Sequence, residues 1–255
     1  MVHGLSPSDW VLLGLAAACV GFAKTAIGGI GTVAVALFAV VLPARESTGA
    51  LLPLLIAGDL VAVLAYRRHG SRRTVLALLP AVVPGLVLGA LFLAVVGDAV
   101  LRLGLGVILL LLTGWQLLLR LRSPGSDTLA APRPRGSGRP ATLAAGAGAG
   151  FATMTANAAG PVMTLYMVMA GLPKLQMLGT GAWFFLVVNL MKVPFSASLH
   201  LIDPASLLLD LALAPAMLAG ATIGWLTARR LNQGQFEVAA LGLAGASAGL
   251  LLVPL

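Results

Sequence analysis

The sequence predicts an all-α polytopic membrane protein made of two inverted-topology repeats. Each repeat is expected to hold a broken or re-entrant helix pair plus three transmembrane helices. Three observations predict this. Of the 255 residues, 59% are hydrophobic and only 9% are charged, with a mean hydropathy of +1.02. Soluble domains carry roughly 25% charged residues, so most of this surface must face lipid. A stretch rich in Pro, Gly, Ser and Arg, Arg122–Pro140, divides two apolar parts of similar size. Each part opens with two short apolar runs separated by Gly, Asn or Pro instead of a polar loop.

Apolar runs and breakers place segments at 9–24, 28–42, 49–66, 74–96 and 98–120, then at 141–155, 158–171, 176–199, 205–228 and 235–254. The run Trp10–Val20 is long enough for a secretory leader, and Ala16–Cys19 loosely resembles a lipoprotein cleavage site. Asp9 precedes it where a Lys or Arg would be needed, so the run reads as part of the fold. The runs 9–24, 28–42, 141–155 and 158–171 are short. Short, interrupted segments at matching places point to broken or re-entrant helices. Val75–Val96, Leu211–Ala228 and Val238–Leu255 hold no charge, and each meets the spanning length of about 20 apolar residues. Arg122–Pro140 cannot bury enough apolar surface to fold and reads as a flexible linker. The expected organisation is a first membrane repeat over 1–121, a linker over 122–140 and a second membrane repeat over 141–255.

The two parts resemble each other in order. Gly21-Phe22-Ala23 matches Gly150-Phe151-Ala152, and each is followed by a Gly- and Ala-rich breaker. Leu42-Pro43 matches Leu172-Pro173, Gly49 matches Gly179, and Asp59 then falls on Asn189. Further on, Pro84 and Gly89 match Pro215 and Gly220. The order of these matches counts for more than any one of them.

Arginines set the expected orientation. Arg67, Arg68, Arg72 and Arg73 mark one cytoplasmic loop, and the linker arginines and Arg229-Arg230 mark others. The loops around Gly97 and Ile202 read as external. Threading from these anchors opens and closes the first short pair outside and the second pair inside, with Arg45 a mild violation. The chain is then a multi-pass protein of the cell membrane, with a cytoplasmic linker and both termini external.

The basic excess of +8 could suggest nucleic acid, but no nucleic-acid fold signature accompanies it. Arginine-rich loops explain it better. A single Cys19 rules out a disulfide framework, and three scattered histidines argue against a metal centre. No cofactor is expected. A catalytic cluster of His, Cys or Asp is missing from the pattern, so an enzyme is not expected either.

One charge stands out. Lys24 is the only ionisable side chain other than Cys19 between Trp10 and Ala44, and Thr25-Ala-Ile-Gly-Gly-Ile-Gly31 follows it. A charge in the bilayer interior is costly unless it is paired or faces a cavity. Three glycines weaken a continuous helix, and a helix beginning after Gly31 would aim its positive end at the break. Lys24, Thr25 and the amides of Gly28, Gly29 and Gly31 therefore form a candidate anion site. In the second breaker, Thr155 and Asn157 could hydrogen-bond an oxyanion or satisfy freed backbone. Asp59 must pair with a cation, Lys24 or Lys192, or take up a proton. Lys192 lies one turn after Asn189, and either joins the site with it or snorkels outward. Tyr66 and Trp183 read as interface anchors, and Asp203 and Asp210 as solvated. Two lysines against one aspartate leave a positive interior that suits an anion.

At these residues the chain resembles the sulfite exporter TauE/SafE family of membrane transporters. The resemblance rests on Gly21–Gly31, on Leu52-Pro53 with Asp59–Val63 and Tyr66–Arg68, on Gly150–Ala152, and on Asn189–Pro194. It implies two related halves and movement of small sulfur anions such as sulfite, sulfoacetate or other organosulfonates. Asn157-Ala-Ala-Gly160 departs from the usual glycines of the second half.

The expected function is thus secondary transport of a small anion by alternating access, with protons as a candidate coupling ion and Asp59 as their candidate carrier. An anion channel with the same electropositive pore is the alternative. The expected partners are the anion and the lipid bilayer, and a homo-oligomer is compatible with both.

Overall fold

The computed structural model describes residues 5–26, 30–97, 100, 139–232 and 235. The expected segments 98–120 and 235–254, the linker up to residue 138, and Gly28 and Gly29 lie wholly or largely outside them. The described residues form eight helices: α1 (Pro7–Thr25), α2 (Gly31–Val41), α3 (Ala44–Tyr66), α4 (Arg72–Val95), α5 (Arg139–Ala156), α6 (Ala159–Met169), α7 (Lys174–Ser198) and α8 (Pro204–Arg230). Five of these, α1, α3, α4, α7 and α8, are long and apolar enough to cross a membrane.

Local sequence explains the ends. Ser6 caps α1 in a reciprocal box with Asp9, and Asp203 caps α8 in the same way with Ser206. Pro43 and Pro173 hold extended ψ angles of 138° and 152° and so start α3 and α7 after sharp corners. α2 and α6 have 11 residues each. At 1.5 Å per residue that is about 16 Å, roughly half a bilayer core of about 30 Å. The sequence reading takes both members of each pair as short. In the structure α1 has 19 residues, so the first pair joins one full-length helix to one half-length helix. α5 begins at Arg139, so the last two residues assigned to the linker are helical.

Helix contacts are reciprocal between α1–α4 and α5–α8. α1 packs on α8, α4 on α5, and α3 on α7. Glycines make the first two contacts backbone-to-backbone. Gly21 lies against Met217 and Ala221, Gly220 against Ala18, and Gly224 against Phe22, so α1 and α8 run parallel. Gly85 lies against Ala147, Gly89 against Met154, and Gly150 against Val82, so α4 and α5 also run parallel. α3 and α7 cross antiparallel: Asp59 meets Asn189, while Gly70, just beyond α3, meets Gly179. Short turns at 67–71 and 199–203 reverse the chain direction, and α4 then packs on α5 and α7 while α8 packs on α1 and α3.

Candidate functional site

The two helix breaks and the α3–α7 crossing meet at one cavity of about 80 Å³. Lys24 and Ala23 enter from α1, Leu55 and Asp59 from α3, Thr153 from α5, Thr164 and Met167 from α6, and Phe185 and Asn189 from α7. Gly31 and Gly160, at the starts of the short helices α2 and α6, line it as well. Neither start has a side-chain cap, because the N-cap residues are Ile30 and Ala158. Both helices therefore begin at the cavity with first-turn amides that no cap side chain accepts from, an arrangement that draws negative charge. Pro161, third in α6, has no amide hydrogen to offer.

The charged groups are placed by packing. Gly58 leaves room for the stem of Lys24, whose Cγ is 3.1 Å from where a Cβ would stand. The Lys24 ammonium then lies 2.7 Å from Asp59 Oδ1 and 4.6 Å from the centroid of the Phe185 ring. The Lys24 side chain is 11% exposed and that of Asp59 is fully buried. Asn189 Nδ2 donates to Asp59 Oδ2 at 2.6 Å. A carboxylate only accepts, so this bond fixes the amide orientation and leaves Asn189 Oδ1 buried with no donor.

A second buried ammonium approaches from the other break. Lys192 is wholly enclosed and does not snorkel. Its Nζ donates to Asn157 Oδ1 and, at 3.4 Å, to Thr153 Oγ1. Asn157 holds a left-handed backbone with φ 51° at the break, and its Nδ2 donates to the Thr48 carbonyl at 3.0 Å. Asn tolerates that conformation better than most residues. Among the described residues around the cavity, two ammonium groups thus stand against one carboxylate, and of the two Lys24 is the one paired with it.

A family model described as sulfite exporter TauE/SafE matches residues 13–254. The chain belongs to the TauE/SafE family. That match takes in both helix breaks, the cavity and all the charged groups around it. TauE/SafE proteins are membrane transporters and not enzymes, and the family implies passage of a sulfur-containing anion across a bilayer. This chain is accordingly a multi-pass membrane protein. No curated protein and no solved structure matches it significantly.

Of the site residues read from the sequence, Lys24, Gly31, Asp59, Asn157 and Asn189 line the cavity of this TauE/SafE chain. Lys192 reaches it through Asn157 and Thr153. Thr25 and Thr155 face elsewhere. Thr25 Oγ1 bonds the carbonyls of Ala221, at 2.7 Å, and Gly21, at 3.1 Å, which ties α1 to α8. Thr155 Oγ1 turns back to the Phe151 carbonyl at 2.9 Å. Gly28 and Gly29 lie outside the described residues.

Two expectations are corrected. Tyr66 is no interface anchor: it is buried, and its hydroxyl donates to the Thr25 carbonyl at 2.7 Å, satisfying the last turn of α1. Asp210 is not solvated: it is 6% exposed, and neither carboxyl oxygen has a hydrogen-bond partner. Trp183 is 37% exposed beside the Arg67 carbonyl, consistent with a place near the end of the span. Sequence reasoning missed Thr164, Met167 and Phe185 as cavity residues. Only Phe185, four residues before Asn189 on the same helical face, left a signal that could have been read.

Proposed function

We propose that the chain is a secondary transporter of a small sulfur oxyanion or organosulfonate in the cell membrane, working by alternating access. The observation that carries this reading is the pair of uncapped half-length helices, α2 and α6, that begin at one cavity. An amide left unsatisfied in hydrocarbon costs several kcal/mol by order of magnitude, so helix starts without a side-chain cap favour a ligand that accepts hydrogen bonds. Charge supports the same ligand. Lys24 is offset by Asp59, whereas Lys192 has only neutral partners, leaving one net positive charge for a monoanion. Asn189 Oδ1 suits a guest that brings its own donor, such as a hydrogen sulfite hydroxyl or a bound water.

The guest rests against the α2 and α6 amides, with Lys24, Thr153, Asn157 and Asn189 around it. Lys192 supplies charge through Asn157. Thr25 acts by holding α1 to α8 beside the first break, Thr155 bonds back within α5, and Gly28 and Gly29 belong to the first break by sequence. The alternation follows from two inverted repeats, 1–121 and 141–255, joined by a cytoplasmic linker. Helix directions favour this inversion: α5 runs with α4 and hence against α1, and α7 runs against α3. The turn 67–71 lies beside Gly179, and Lys174 bonds the Ala228 carbonyl, which groups the arginine-rich ends on one side. Gly49 and Leu201 meet at the opposite end, which becomes the external one.

The test is flux into proteoliposomes with sulfite, sulfoacetate, sulfate and a carboxylate control. Wild type is expected to show saturable flux of sulfite or sulfoacetate that collapses in Lys24→Ala. Equal flux in both proteins would remove Lys24 from the site. Flux that never saturates would mark a channel.

A further inference from the structure

Asp210 is the buried charge-bearing group that the proposed site does not use. It stands six residues into α8, about 9 Å along the axis from the Pro204 end. Both its oxygens are buried without a hydrogen-bond partner. Leu209, Leu213 and Met217 flank it on α8 and pack with Leu13 and Ala16 of α1 and Leu51 of α3.

Among the described residues, no group on these helices offers a counter-charge. On α1, Asp9 bonds Ser6 and Lys24 is engaged by Asp59; Cys19 is a free thiol. On α3, Asp59 takes Lys24 and Asn189, Glu46 is exposed at the helix start, and Tyr66 bonds the Thr25 carbonyl. Arg45 is at that same helix start. On α8 itself, Asp203 caps the N-terminus and Arg229 and Arg230 occupy the last turn. A bare carboxylate cannot remain in such a place, whereas the neutral acid can.

We propose that Asp210 is a proton-binding site, loaded while buried as here and emptied when the first turns of α8 reach water. Movement of α8 does not stay local. Gly220 and Gly224 press its backbone on α1, and the Thr25 hydroxyl bonds the Ala221 carbonyl, one residue from Lys24. Proton loss at Asp210 thereby shifts α1 and the ammonium beside the cavity. This goes beyond the transport reading, and it differs from the sequence expectation, in which Asp59 is the candidate carrier. The geometry assigns Asp59 to Lys24 and leaves Asp210 for the proton. The coupling, but not the proton site, rests on the proposed transport.

The test is dicyclohexylcarbodiimide labelling of the full chain in proteoliposomes, read by peptide mass spectrometry. The reagent partitions into hydrocarbon and reacts with protonated carboxyls. The acid O–H adds across one C=N bond, oxygen to carbon and proton to nitrogen. The O-acylisourea then rearranges to a stable N-acylurea, so the whole reagent mass is gained. Asp210 is expected to take the label at near-neutral pH, Asp59 to take none, and Asp210→Asn to remove the signal. An unlabelled Asp210 overturns the proton site whether or not the protein moves sulfite. In sulfite counterflow, Asp210→Asn is expected to keep exchange at equal pH and lose the several-fold response to an imposed pH gradient. A wild-type response to the gradient in that variant overturns the coupling. If wild type moves no sulfite at all, the transport reading and the coupling fall together, while the label still decides the proton site.

Discussion

Asn189 on α7 donates its amide hydrogen to Asp59 on α3 at 2.6 Å, and the order of sequence matches between the two parts of the chain aligns these two residues. The antiparallel α3–α7 crossing therefore sets an acid on one helix against an amide on the other. That difference gives the pair a donor and an acceptor. It also leaves one carboxylate for Lys24. Two aspartates here would repel, and two asparagines would strand the ammonium.

Breaking this arrangement on one side is expected to cost more than dismantling it. Lys24→Met or Asp59→Leu alone leaves a buried charge unpaired and should destabilise by about 3–5 kcal/mol. The double variant should recover most of that loss. Thermal unfolding in detergent measures all three, and additive losses in the double variant would contradict the pairing.

Asn157 separates charge from fold. Asn157→Asp keeps an acceptor for Lys192, tolerates the left-handed backbone and neutralises the unpaired ammonium; it gives up the Nδ2 bond to the Thr48 carbonyl, a loss that the new ion pair with Lys192 offsets. Unfolding temperature should hold, while the sulfite concentration for half-maximal flux rises about tenfold or more, the equivalent of ~1.4 kcal/mol or greater. Asn157→Ala lacks both side-chain bonds and should lose about 1–3 kcal/mol of stability.

The glycines of the α1–α8 contact should be unequal in their tolerance of a methyl group. A Cβ on Gly21 or Gly220 runs into the backbone of the facing helix, and neither neighbour can step aside. Ala at either place should cost about 1–3 kcal/mol. Gly14 on α1 has open space, and Gly148 on α5 has only Val162 at 3.9 Å. Ala there should stabilise by about 0.5–1 kcal/mol through helix propensity. Unfolding temperatures of the four variants check the order.

Tyr66→Phe should lower stability by about 0.5–1.5 kcal/mol, because the Thr25 carbonyl at the end of α1 loses its donor. An unchanged unfolding temperature would show that water replaces the hydroxyl at that helix end.

Much of this was legible in the sequence because its signals were local. Gly28–Gly31 and Asn157–Pro161 marked the breaks, and Pro43 and Pro173 marked the corners after the short helices. Lys24, Asp59, Asn189 and Lys192 stood out because a polar group in an apolar run is expensive wherever it lands. Which of them would meet depended on the angular position of each side chain, and sequence spacing fixes that only within one helix. Thr25 lies beside Lys24 in the chain, yet α8 claims its hydroxyl because Gly224 lets the two helices close. Asp210 misled for a related reason. It is near a helix end, where water is usually at hand, but its face of α8 turns toward α1 and α3.

The central claim is that a small anion is held where α2 and α6 begin, its charge matched by Lys192, with the Lys24–Asp59 pair beside it. Counterflow of radiolabelled sulfite into proteoliposomes, compared between wild type and Lys192→Met at matched protein content and stability, tests it most directly. The prediction is saturable counterflow in wild type and a drop of tenfold or more in apparent affinity in the variant, about 1.4 kcal/mol. Identical saturation curves for the two proteins would contradict it.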